Sequence, residues 1–167
     1  DIPRWLRPVQ WIERLFYRIA RVKPDEETGW KPYAAGMVLF TAFGMLAVYA
    51  IQRLQAHLPL NPRGLPAVTP DCALNTAASF ATNTNWQSYM GETTMSNLTQ
   101  MLALTVQNFV SAAAGIAVLL PLARAFVRTS TDKIGNFWVD LTRSVLYVML
   151  PLSFILALIL VSQGVVQ

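Results

Sequence analysis

No charged residue stands between Lys31 and Arg53. About 20 predominantly apolar residues in a helix cross the hydrocarbon core of a bilayer. A run of that length without one charge belongs in lipid, so residues 33–53 are expected to form a transmembrane helix. Trp30 and Tyr33 stand at its start, where aromatic belts form. The pattern recurs at 101–123 and 144–164. The second run carries Gln107, Asn108 and Ser111. It also pairs Ser111 with Gly115, a spacing of small residues that lets membrane helices approach closely. Pro121 falls in its expected last turn, and Pro151 lies inside the third run, where a kink is tolerated. The expected class is therefore all-α integral membrane. Composition agrees. Hydrophobic residues make up 54% and charged residues 13%, against about 25% charged in soluble domains. Such hydrophobicity also excludes disorder.

The 13 Lys and Arg are unevenly placed. Seven lie in 1–32, four in 124–143, and only Arg53 and Arg63 lie between the first two spans. The positive-inside rule puts 1–32 and 124–143 in the cytoplasm and 54–100 outside. Basic residues that flank spans make no stripe for nucleic acid, and no nucleic-acid partner is expected. Trp5, Val9, Ile12, Phe16 and Ile19 recur at steps of three and four, the mark of an amphipathic helix on a surface. Its arginines, with Trp5 and Trp11, suit a membrane interface; a helix packed on a partner protein fits equally well. Residues 24–29 read as a loop, and the proline-rich 54–70 as an irregular extracytoplasmic connector. The single cysteine, Cys72, allows no intrachain disulfide. With lone His57 it cannot close a zinc site, and His57 reads as a loop residue without chemistry. The chain opens at Asp1 with no signal peptide, which points to a processed chain or a piece of a longer one.

Residues 71–92 interrupt the alternation of spans and loops. Cys72 to Ala81 is rich in small residues and too short to span, so it reads as a re-entrant half-helix entering from outside. Asp71 suits its N-cap or first turn. Its C-terminus would point into the membrane, with free carbonyls favouring a cation. Thr82-Asn83-Thr84-Asn85 then gives four polar residues without charge. Irregular backbone at membrane depth survives only inside protein or beside a water-filled path. A chain climbing back out through Thr82–Gln87 would offer consecutive carbonyls to one axis, as in a filter that replaces an ion's hydration shell. Asn tolerates positive φ. Neutral oxygens favour a weakly hydrated monovalent cation, whereas a calcium or magnesium cage calls for carboxylates. A plain polar outer loop is the competing reading, and the residues alone leave the two about even.

Asn75-Thr-Ala-Ala-Ser-Phe-Ala-Thr-Asn-Thr-Asn-Trp-Gln-Ser-Tyr-Met-Gly-Glu-Thr-Thr94 closely resembles the first pore loop of the potassium-binding A subunit of Kdp-type potassium-importing ATPases. Leu104-Thr-Val-Gln-Asn-Phe109 with Ser111-Ala-Ala-Ala-Gly-Ile-Ala-Val118 resembles the helix that follows it. Leu58-Pro-Leu-Asn-Pro62 and Gly135-Asn-Phe-Trp-Val-Asp140 resemble its flanking loops. The resemblance covers nearly the whole chain. It implies a potassium-channel-like fold of four membrane–pore–membrane repeats, of which this chain would supply the first repeat and the next span. It also implies potassium as the transported ion, taken up from outside across a bacterial inner membrane. The expected partners are an ATP-hydrolysing P-type B subunit, small C and F subunits, and membrane lipid. Residue by residue, Thr82, Asn83, Thr84 and Asn85 fall on the first filter strand and would meet the ion. Gln87 falls on a polar residue beside it that is implicated in ion binding. The Thr-Val-Gly-Tyr-Gly of true potassium channels is absent, and Met90 stands where relatives often carry a small residue.

Asp71 and Glu92 are the acids expected on the outer side. They could gather cations at a mouth, but read better as a cap and a surface charge. Gln107 and Asn108, polar within a span, read as packing groups rather than vestibule lining. Trp86 and Tyr89 are expected to wedge the filter. Asn97-Leu-Thr99 matches a glycosylation acceptor that a bacterial transporter would not use. No phosphate loop, Asp-Lys-Thr-Gly-Thr motif or Ser/His/Asp set occurs, so ATP hydrolysis is expected on another subunit. The alternatives are a membrane scaffold whose polar loop binds no ion, and a membrane enzyme using Asp71 or Glu92, which nothing nearby supports.

Overall fold

The computed structural model describes residues 7–128 and 131–165; Arg4 and Trp5 of the amphipathic segment lie outside them. Among the described residues the chain is all-helical, without strands beyond one isolated bridge between Thr28 and Gly135. Helices α1 (Arg7–Ala20), α2 (Trp30–Leu54), α3 (Pro70–Ala81) and α4 (Gly91–Thr94) come first. A π-helical segment, Thr99–Thr105, runs into α5 (Val106–Val127). Then α6 (Phe137–Arg143), a second π-helical segment (Ser144–Met149) and α7 (Leu150–Ser162) form one continuous helix.

Three helical stretches are long and apolar enough to cross a membrane: Trp30–Leu54, Thr99–Val127 and Phe137–Ser162. The ends differ from the expected ones. The segment 124–143, expected as a charged loop, is helical through Val127 and again from Phe137. Pro121 therefore lies inside α5, not in its last turn. The charged ends can stay helical because Arg124 and Asp140 neutralise each other, at 2.6 and 2.7 Å. Pro151 has no N–H to give to the carbonyl four residues back, and its ring crowds that carbonyl. The helix is widened into π turns just ahead of it.

The chain forms two compact units. One comprises Ala35–Ala112. Its core joins Val48 of α2, Val68, Ala73, Ala77 and Phe80 of α3, Met95, Ala103 and Leu104. Ala73 and Ala77 are wholly buried because a residue without a long side chain lets α3 lie close to its neighbours. Gln52 of α2 and Gln55 just past its end tie this core to α3 and to the connector. Gln52 Nε2 donates to the carbonyls of Val48 (3.1 Å) and Ala73 (3.2 Å). Gln55 Nε2 donates to the Pro66 (2.6 Å) and Thr94 (2.9 Å) carbonyls. Its Oε1 accepts from the Ser96 amide and the Thr99 hydroxyl, both at 3.0 Å. Gln52 thus binds α2 to α3, and Gln55 is the buried amide side chain that reaches the connector. Asn61 adds to this by closing its own turn onto Leu65 through both amide atoms.

The other unit comprises Asp1–Ala34 and Ala113–Gln167. The Arg124–Asp140 pair stands at its centre, with Asp140 only 4% exposed. The Tyr33 hydroxyl reaches both the Ala117 carbonyl and Asp140 Oδ2 (3.0 Å), and its ring meets Phe137 edge-on. Asn136 caps α6 by accepting from the Trp138 amide at 3.1 Å. Gly135, at φ +121°, sits where a Cβ would strike the Arg124 guanidinium. The Gly135–Asp140 stretch is therefore a device for starting one helix and clamping the end of another.

Candidate functional site

Helix α3 begins with Thr69 as N-cap and Pro70 in the first turn, where its missing N–H costs nothing. Asp71 lies in that turn. The Thr69 hydroxyl, followed by the amides of Asp71 and Cys72, holds its carboxyl below the usual range. One flank of α3 (Ala73, Thr76, Ala77, Phe80) is buried, which fixes the direction in which its C-terminus points. The helix ends at Ala81.

Beyond it the backbone amides fold back. Thr82 N–H donates to Ala78 O (3.0 Å) and Asn83 N–H to Phe80 O (3.3 Å). Thr84 and Asn85 N–H both donate to Ser79 O, at 2.9 and 3.2 Å. Three of the last-turn carbonyls of α3, expected to be free, are consequently occupied: those of Ala78, Ser79 and Phe80. The free oxygens lie further along: among the described residues, the carbonyls of Thr82, Thr84, Asn85 and Gln87 accept no hydrogen bond. Ser79 also fixes the far end, its hydroxyl donating to Trp86 O at 2.9 Å. One residue, 8% exposed, thereby holds the far end of the polar run through both its carbonyl and its hydroxyl. Sequence reasoning passed over it because a serine among alanines looks like helix filler.

Asn83 and Asn85 adopt φ of +58° and +57°, the region that Asn enters more readily than other non-glycine residues. Asn85 Nδ2 donates to Asn83 Oδ1 at 3.1 Å, and the Ser111 hydroxyl reaches the same oxygen at 3.4 Å. The hydroxyls of Thr82 and Thr84 lie 2.9 Å apart. Residues 82–88 are exposed. Gln87 lines an open recess of about 420 Å³ with Tyr89, Met90, Gly91, Glu92, Gln100 and Leu104. Glu92 thus shares a recess with Gln87, whereas Asp71 does not line it.

The two aromatics part company. Tyr89 packs against the core around α3, but Trp86 is 72% exposed and wedges nothing here. Of the polar pair in the second span, Gln107 is buried against Gly44 of α2 and Asn108 is exposed. Gly115 meets no neighbour within 4 Å, so the Ser111/Gly115 element packs no helix at that point.

The KdpA family model, described as potassium-transporting ATPase A subunit, matches residues 3–167. The chain belongs to that family. A potassium-transporting ATPase potassium-binding subunit of Bordetella pertussis is 66% identical over 98% of the chain. Its counterparts in Methylococcus capsulatus and Herpetosiphon aurantiacus are 62% and 63% identical over 97% and 93% of it. In each case the chain spans 27% of the relative's length. Membership and the three apolar helices mark a membrane protein, and the match covers both units and the segment after α3.

Proposed function

We propose that this chain forms part of the potassium-binding and translocating subunit of an ATP-driven, high-affinity potassium importer, and that Thr82–Asn85 with Gln87 are its contribution to the ion filter. The relatives' printed name supports potassium as the ion. The observation that carries the reading is the polarity of the segment after α3. Its amides are spent on the helix end, and the carbonyls of Thr82, Thr84, Asn85 and Gln87 are left without hydrogen bonds. In ordinary extended chain, successive residues face opposite sides. Positive φ at every second residue, Asn83 and Asn85, breaks that alternation and favours oxygens turned to a common side. Uncharged oxygens suit potassium. Potassium would enter from the extracytoplasmic side, past the recess that Gln87 shares with Glu92, in a multi-pass protein of the bacterial inner membrane. ATP would be hydrolysed on a separate P-type B subunit, with small C and F subunits completing the complex.

The test is a potassium titration of ATPase activity in the complete complex. Losing one contact to a charge costs about 1.5–3 kcal/mol, and about 1.4 kcal/mol is tenfold in affinity. Gln87→Ala should raise the half-saturating potassium roughly ten- to a hundredfold. Gln87→Arg should raise it further, because a cation then stands beside the path. The maximal rate should fall much less. Unchanged half-saturation in a correctly assembled Gln87→Arg complex would make this segment a structural loop and favour a scaffold.

A further inference from the structure

Helix α1 has three flanks, and the one it buries is polar. Glu13 and Tyr17, one turn apart, are buried. The Tyr17 hydroxyl donates to Glu13 Oε1 at 2.8 Å, Arg143 Nε donates to the same oxygen at 2.9 Å, and the Tyr147 hydroxyl donates to Oε2 at 2.5 Å. Burial alone would raise the Glu13 carboxyl pKa, but the bonds from Tyr147, Arg143 and Tyr17 outweigh it and hold the value below the usual 4.5. A second flank, carrying Ile12, Leu15, Phe16 and Ile19, is exposed, with Ile19 at 74%. The third flank carries Arg14 and Arg18, with Arg21 just past the helix end. At 3.6 residues per turn, Trp11 falls between the basic and apolar flanks, and it too is exposed.

Three observations say what covers the apolar flank. Arg143 is the last charge before the uncharged run of the third span, so the Glu13 anchor holds α1 at the level where that span begins. The uncharged part of the span, Leu150–Ser162, is apolar and carries no buried residue. Four acids of this unit are engaged with other bases, Glu13 with Arg143, Glu26 with Lys23, Asp140 with Arg124 and Glu27 with Arg128. Arg14, Arg18 and Arg21 have no acid partner among the described residues. An apolar flank at the depth of a membrane boundary, with a tryptophan at its edge and unneutralised arginines above it, has the form of an interfacial helix.

We infer that α1 lies in the surface of the bilayer leaflet, its Ile12/Leu15/Phe16/Ile19 flank among acyl chains and its arginines on anionic phospholipid headgroups. The arginines supply the preference for anionic lipid, since each basic residue near an anionic surface adds to the attraction. Glu13 fixes the helix to the protein, so lipid charge is felt at the start of the third span.

The complete complex, carrying Ile19→Cys in an otherwise cysteine-free background, can be labelled with bimane and placed in nanodiscs. In one set a fraction of about 30% phosphatidylglycerol is brominated, and in the other an equal fraction of phosphatidylcholine is brominated instead. Lipid bromine should quench the label and aqueous iodide should not, while a label at Arg18→Cys should behave oppositely. Brominated phosphatidylglycerol should quench severalfold more than brominated phosphatidylcholine. That ratio should fall to about one when Arg14, Arg18 and Arg21 are all changed to Gln, with quenching by lipid retained. Quenching at position 19 by iodide would overturn the inference. So would shielding from both reagents, which would place a second copy or another protein segment there. Equal quenching by the two lipids in the parent complex would overturn the anionic preference.

Discussion

Asn85 shows how much a single residue carries. Its backbone lies in the left-handed region, and its side chain donates to Asn83 while its carbonyl stays free. Left-handed backbone costs most L residues about 1–2 kcal/mol, glycine nothing and Asn little. In the complete complex, Asn85→Gly should therefore keep half-saturating potassium within a few-fold of the parent value. Asn85→Val, β-branched and unable to hold φ near +57° cheaply, should raise it roughly five- to thirtyfold. Equal behaviour of the two variants in a potassium titration of ATPase would show that the side chain matters and the backbone conformation does not.

At the scale of elements, the first two spans are matched by a small residue facing a polar one. A Cβ at Gly44 would meet Gln107 Oε1 at 2.5 Å and Cδ at 2.9 Å. Gly44→Ala should thus displace the Gln107 side chain at a cost of about 1–3 kcal/mol. Gln107 Nε2 is buried without a partner, so Gln107→Ala forfeits no hydrogen bond there and should restore much of the thermal midpoint lost to Gly44→Ala. Simple addition of the two losses in detergent-solubilised protein would refute the contact. The α1 anchor carries its own pH signature. Because the Glu13 carboxyl is held below its ordinary value of 4.5, its contribution is fully present above that pH and disappears as pH falls through the lowered native value. Wild type should then exceed Glu13→Gln in thermal midpoint at neutral pH, and the gap should close below about pH 4.5. A gap that stays constant as pH falls from neutral to well below 4.5 would remove the carboxylate from the account.

At the scale of the whole molecule, each compact unit is organised around buried polar groups inside an apolar chain. In the unit built from Asp1–Ala34 and Ala113–Gln167, Asp140 carries the heaviest share. It accepts both guanidinium bonds of Arg124 and lies within reach of the Tyr33 hydroxyl. Removing one member of a buried pair costs about 3–5 kcal/mol, because the other charge stays behind uncompensated. Asp140→Ala should sharply reduce accumulation of folded protein. Arg124→Gln combined with Asp140→Asn, which leaves no stranded charge, should be tolerated better. Accumulation of monodisperse protein measured by size-exclusion chromatography would settle the order. A double variant as poor as Asp140→Ala would mean that the charges themselves are required.

Three spans, the uncharged polar run between the first two and the amphipathic start of the chain were legible in the sequence, for one physical reason. Apolar length, charge and helical periodicity are local properties, added residue by residue along the chain. Asparagine at positions of positive φ was legible on the same footing, since the preference resides in the residue itself. Gln55 was not, because its meaning comes from Pro66, Thr94, Ser96 and Thr99, up to 44 positions away. Ser79 was missed because a hydroxyl inside a helix declares no partner until the chain after it turns back. Trp86 was misread because aromatic content predicts burial only on average. In the tertiary structure Ser79 holds the Trp86 carbonyl and the ring is left outside. Apolar length and charge alone marked which stretches are suited to lipid. Which amides would be spent on the end of α3, and which oxygens would remain free, was decided only by the packing that directs that helix.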